Sequence, residues 1–147
     1  MGGRGRRFIS SMASTGLFGA KWVIAVDYLG LPVGARVVGA RRQEVAAAQD
    51  LLDGLMPHVP RVATVLGDRG FRGLEGPLLR KHGVKVEFKR RQWLKGGFEP
   101  IRPLWRVEDA FAENGRWRRL ARSFEGTPAS ATAPLQVACV GWLLTFI

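Results

Sequence analysis

Two short runs of β-branched and aromatic residues, Trp22-Val23-Ile24-Ala25-Val26 and Val33 to Val38, flank the turn chemistry of Leu29-Gly30-Leu31-Pro32. That spacing predicts an antiparallel hairpin. Downstream the periodicity changes. Between Arg42 and Met56 the apolar residues Val45, Ala48, Leu52 and Leu55 recur at intervals of three, four and three, one face of a helix that Pro57 and Pro60 end. Val62 to Leu66, bounded by Gly67, predicts a buried strand. Phe71 to His82 predicts a helix stopped by Gly83, and Val84 to Phe88 another strand. Lys89 to Gly97 reads as a basic loop. Pro103 opens a helix with Leu104, Val107 and Phe111 on one side, and a last helix runs from Ser130 with Pro134 in its first turn. A hairpin followed by alternating elements, in the order β-β-α-β-α-β-α-α, implies an α/β fold with a mixed sheet and flanking helices.

Residues 1–20 show no such periodicity. They mix Gly, Arg and Ser and read as a mobile basic arm preceding one domain over 21–147. With 46% hydrophobic and 24% charged residues among 147, the chain is long and apolar enough to bury a core, which excludes wholesale disorder. Its charge is the informative quantity. Twenty-three Lys and Arg against twelve Asp and Glu give +11, a field that favours a polyanion, nucleic acid first among them. A ribosome-associated protein or an arginine-favouring genome would produce the same balance. A single Cys139 excludes an internal disulfide and a cysteine zinc site, and His58 and His82 are too few for a histidine-rich one. Arg6-Arg7-Phe8-Ile9 is followed by a stretch too rich in Ser, Thr and Gly for an export signal. The apolar run Leu135 to Ile147 is too short to span a bilayer. A cytoplasmic protein is expected.

Two carboxylates stand where chemistry would want them. Asp68, in Gly67-Asp68-Arg69-Gly70-Phe71, follows an apolar strand, and ligands of open α/β sheets gather at the carboxyl ends of strands. The same Asp would serve equally as a turn former or helix cap. Glu108 lies at the edge of a buried helix face, where a carboxylate is costly without a cation or metal, although Arg102 or Arg106 could pair with it. Asp27 closes the first run as a hairpin residue, and Asp109, Glu113 and Glu125 read as exposed charges. Downstream, Arg116, Arg118, Arg119 and Arg122 interleave with Trp117 and Leu120, a basic stripe suited to phosphates, and Lys89 to Lys95 adds a second cluster with Trp93. Carboxylates ringed by cations suggest divalent metals acting on a phosphodiester; an ordinary solvated basic surface competes with that.

These segments resemble a known family, the DDE transposases of bacterial insertion sequences, in particular the groups called insertion sequence four and five. Ala20 to Pro32 is similar to their strand-turn segment K-x-h-h-h-x-V-D-x-x-G-h-P, and Gly67 to Phe71 to their A-D-x-G-Y motif. Trp105-Arg106-Val107-Glu108 with Phe111, followed by Arg116 to Glu125, resembles R-W-x-V-E-R-x-F…R-Y-R-R-L-x-x-x-Y-E. The resemblance spans about residues 20–147 and implies the C-terminal part of such an enzyme, with a ribonuclease H-like fold from its second strand onward. It implies Asp68 and Glu108 as the second and third of three catalytic, metal-holding acids, a two-metal Mg²⁺ or Mn²⁺ site, and cleavage and strand transfer of double-stranded DNA at transposon ends and target. Arg106, Arg116, Arg118, Arg119 and Arg122 would then contact DNA. Ile101, Leu104 and Gly115 stand where the family's Y-(2)-R-(3)-E-(6)-K pattern has Tyr, Arg and Lys, with Arg102, Arg106 and Arg116 nearby.

The first acid belongs on a strand upstream of the hairpin, and residues 1–20 hold no Asp or Glu; Asp27 corresponds to the second-strand aspartate instead. The expectation is therefore a fold lacking its first strand: a downstream reading frame, a truncated copy or a frameshift-split half, inactive alone and completed by the upstream half or a second transposase copy. The alternative is a non-catalytic basic DNA-binding remnant.

Overall fold

The structure, a computed structural model, describes residues 6–12, 20–88, 110, 112–114, 116 and 127–147, with side chains from residue 20 onward. The hairpin forms as its turn chemistry requires. Strands β2 (Ala20–Val26) and β3 (Pro32–Gly39) pair antiparallel, Lys21 opposite Val38 and Ile24 opposite Ala35. The Asp27 carboxylate closes the turn, accepting from the backbone N–H of Leu29 (2.8 Å) and Leu31 (2.9 Å). Gly30 supplies the positive φ of 87° that the reversal needs.

The remaining strands correct the expected topology. Arg6–Met12 is not part of an arm but strand β1, and it occupies the middle of a five-stranded sheet of order β3-β2-β1-β4-β5. It pairs antiparallel with β2 and parallel with β4 (Val62–Gly67), which pairs parallel with β5 (Lys85–Phe88). The mixed sheet is as expected; the first strand is not lacking. The run Arg6-Arg7-Phe8-Ile9-Ser10-Ser11-Met12 has only one β-branched residue and no polar/apolar alternation. Its strand state is set by neighbours on both sides that satisfy its backbone, a tertiary effect that overrides weak propensity.

Residues alternate across the sheet, so adjacent positions enter opposite cores. Val23, Val38 and Val65 join one cluster with Ala47, Ala48 and Leu52 of helix α1 (Glu44–Leu55) and Leu78 of helix α2 (Glu75–His82). Their neighbours Ile24, Val37 and Leu66 join the other, with Ala110 and with Leu135 and Cys139 of helix α3 (Pro128–Leu144).

Phe71 to His82 is not one helix. A 3₁₀ segment, Arg69–Leu74, precedes α2 and departs from helical geometry at Phe71 (φ −95°, ψ 15°). Close packing accounts for the tight winding: a Cβ on Gly73 would stand 2.8 Å from the Val45 methyl of α1. Gly83 ends α2 in the left-handed region (φ 67°), as anticipated. α3 begins two residues before Ser130. Thr127 caps it, its hydroxyl accepting from the Ser130 N–H (3.1 Å) while the Ser130 hydroxyl accepts from the Thr127 N–H (3.3 Å). No helix among the described residues is long and apolar enough to cross a membrane. The Lys89–Gly97 loop and the first turns of the Pro103 helix lie outside the described residues.

Candidate active site

Asp68 leaves β4 at its carboxyl end in extended geometry (φ −80°, ψ 176°) and caps the 3₁₀ segment, its Oδ1 accepting from the Gly70 N–H at 2.7 Å. Two glycines make that turn possible. The Phe71 ring lies against the Gly67 backbone, 3.5 Å from where a Cβ would be, and a Cβ on Gly70 would stand 2.9 Å from Asp68 Oδ1. The cap role weighed for Asp68 is therefore real, but it engages one oxygen only. Among the described residues the carboxylate has no ion pair, although Arg69 and Arg72 on the same turn are exposed.

A second acid approaches the turn. Glu44, in the first turn of α1, puts Oε2 3.9 Å from that Gly70 Cβ position, while its Oε1 lies 3.8 Å from the Lys21 Nζ. Nothing in the sequence flagged Glu44 as more than a first-turn acid favoured by the helix dipole.

Glu108 lies outside the described residues, as do Arg106, Arg118, Arg119 and Arg122. Ala110 and residues 112–114 are helical, and Ala110 and Asn114 are fully buried one turn apart. Ala110 joins the cluster that contains Leu66, two residues before Asp68. The described helical residue Ala110 thus shares a core with the strand that delivers Asp68. Asn114, the sole buried polar residue among those described, ties this stretch to α3. Its amide donates to the Ala110 carbonyl (2.8 Å) and accepts from the Cys139 thiol of α3 (3.6 Å). Burial pushes the Cys139 thiol up to about 11, against the lowering effect of the Asn114 bond. Periodicity alone gave no reason to place an Asn in the core.

A family model described as transposase DDE domain matches residues 4–140. The chain belongs to that family. The matched span begins ahead of β1, in agreement with the strand's place in the sheet. The crystal structure of the catalytic core domain of BIV integrase is similar in fold, with a TM-score of 0.62 and 17% identity over 94% of this chain and 83% of that one. No curated protein sequence matches the chain.

Within this transposase DDE domain Asp27 is occupied by its turn, with both backbone bonds on one oxygen. Arg116 is exposed and lies 3.1 Å from Glu113, a surface pair that leaves its guanidinium accessible. Among the described residues no group of three or more His, Cys, Asp and Glu side chains converges to hold a metal. Asp68 and Glu44 by themselves do not make such a site.

Proposed function

We propose that the chain is a DNA transposition domain of the insertion-sequence type, acting on double-stranded DNA in the cytoplasm, with Asp68 and Glu108 as its catalytic, metal-holding acids. One observation carries this: Ala110, two positions after Glu108, shares a core with Leu66, two positions before Asp68. Leu66 and Ala110, 44 positions apart in the chain, lie in one core, which supports a site shared by the acids next to them in sequence. Divalent ions bound by such acids would supply Lewis-acid stabilisation and an activated oxygen nucleophile for phosphodiester cleavage and strand transfer. The described part of this arrangement is Asp68 at the end of β4, with the exposed Arg69 and Arg72 on the same turn. The net charge of +11, with Arg116 and the flanking Arg106, Arg118, Arg119 and Arg122, supports phosphate contacts along the DNA.

β1 carries no acid. We therefore read the isolated chain as able to bind DNA and unable to cut it, and in that state it acts as the basic DNA-binding remnant weighed above, unless a second transposase copy completes it. Two assays separate the parts. Duplex binding should weaken steeply with salt and be untouched by Asp68→Ala. A supercoiled plasmid with Mg²⁺ or Mn²⁺ should stay intact; nicking that Asp68→Ala abolishes would overturn the claim of an incomplete site, and salt-insensitive or absent DNA binding would overturn the transposition reading.

A further inference from the structure

Many cations of the described residues are already spoken for. Lys21 pairs with Glu44, Arg36 and Arg42 with Asp50, Lys81 with Asp53, and Arg116 with Glu113. Arg69, Arg72 and Arg80 are exposed and have no ion pair among the described residues. They follow one run of chain, from the turn that holds Asp68 through the 3₁₀ segment into α2. Arg41, Arg61 and Lys85 are likewise unpaired there but lie elsewhere, Arg41 beyond β3 and the other two at the amino ends of β4 and β5. Gly76 is the informative position between Arg72 and Arg80. Glycine inside a helix costs stability relative to alanine. Here it leaves room for a guanidinium, because a Cβ would stand 2.9 Å from Arg80 Nη1. Arg80 therefore lies back along α2 by roughly one turn (~5.4 Å), toward Arg72 and the Asp68 end. The line 72, 76, 80 runs opposite the buried Leu74 and Leu78.

We infer that this crest is a phosphate track, on which Arg69, Arg72 and Arg80 hold the backbone of duplex DNA to one side of the phosphodiester at Asp68. This rests on the transposition reading above. A guanidinium fork matches two phosphate oxygens at once and keeps its charge. An unpaired one binds phosphate without breaking an internal ion pair, which Lys21, Arg42 and Lys81 would have to do. Glu75, one position before Gly76, stands about 100° around the helix from it and so off the track. Contacts of this kind position DNA without reading its sequence. Each one releases counterions, so the salt dependence of binding counts them.

The experiment measures duplex DNA binding against salt, and Tm, for wild type, Arg72→Gln/Arg80→Gln, Arg80→Gln, Gly76→Ala and Gly76→Ala/Arg80→Gln. Arg61→Gln/Lys85→Gln, which removes the same charge at the amino ends of β4 and β5, is the control. The track double should make the slope of log K against log salt shallower by about 2, and weaken binding at least tenfold at low salt, alike for unrelated sequences. The control should change the slope by less than about 0.5. Gly76→Ala should raise Tm, since only the mobile end of Arg80 has to move, and still flatten the slope by about 1. Combined with Arg80→Gln it should flatten the slope no further than Arg80→Gln alone. An equal loss in the control, no loss in the track double, or a Gly76→Ala effect that survives without Arg80 would each overturn the track. No loss in the track double beside salt-dependent wild-type binding would leave the transposition reading standing. Wild type that binds duplex DNA without salt dependence, or prefers duplex RNA, would overturn that reading and the track with it.

Discussion

The two faces of the sheet are built on different principles. On the α1/α2 face, large apolar side chains do the work: Leu52, Phe71, Leu74 and Leu78 are each at most 2% exposed and interlock with Val23 and Val65. The α3 face also buries Ile24, Val26, Val37, Leu66 and Leu135, but sets the small Ala35, Ala110 and Cys139 among them and adds polar links. Thr132 accepts from the Val37 N–H (3.0 Å) and Gln136 donates to the Ala35 carbonyl (3.1 Å), so α3 satisfies the open edge of β3. One face supplies stability by burial. The other supplies position, where directional bonds fix a helix more closely than apolar contact does.

Truncations should divide the faces most sharply. Leu52→Ala should cost about 3–5 kcal/mol because its packed neighbours cannot collapse into the cavity, and Leu135→Ala, in the cluster that includes Ala35, Ala110 and Cys139, about 2–3 kcal/mol. Equal losses in urea unfolding would break the contrast. Asn114→Ala should cost about 1–2 kcal/mol, since it strips the Cys139 thiol of its buried acceptor. It should also loosen the helical residues 110 and 112–114, read as faster labelling of Cys139 by a thiol reagent near neutral pH, where burial keeps the native thiol protonated. Unchanged labelling would deny Asn114 its positioning role.

Thr132→Val keeps the shape and removes the bond to Val37, for about 1 kcal/mol, with a new tendency of the β3 edge to self-associate seen in light scattering.

The smallest effect lies on the surface of the other face. Burial alone would raise the Asp53 carboxyl, but bonds from Lys81 (2.7 Å), His82 (2.7 Å) and Gln49 (2.9 Å) hold it below its ordinary 3.8. A carboxyl lowered in the folded state adds stability above its unfolded value, and that stability fades as pH falls through the folded value. Asp53→Asn should cost at most about 1 kcal/mol at neutral pH and nothing in strong acid. A difference that persists at low pH would assign the loss to packing instead.

Much of this molecule was written in its local patterns. The hairpin, α1, the stop at Gly83 and the strand ahead of Asp68 follow from period, turn chemistry and capping, which act between residues a few positions apart. The Gly67-Asp68-Arg69-Gly70-Phe71 run alone marked a strand-end carboxylate. β1 escaped because its Arg-Arg and Ser-Ser pairs carry no period, and a strand flanked on both sides draws its stability from partners 11 to 57 positions away. The same holds for Asn114 and Glu44. A buried amide and a first-turn acid look ordinary until α3 and the Asp68 turn are brought against them.

The sequence by itself determined which residues alternate, cap and turn, and that no acid precedes Asp27, because those are properties of neighbours along the chain. Only the tertiary structure decided that Arg6–Met12 is a strand and that it stands at the centre of the sheet. Register is set by hydrogen bonds between distant strands, and a slip of one residue would exchange every face.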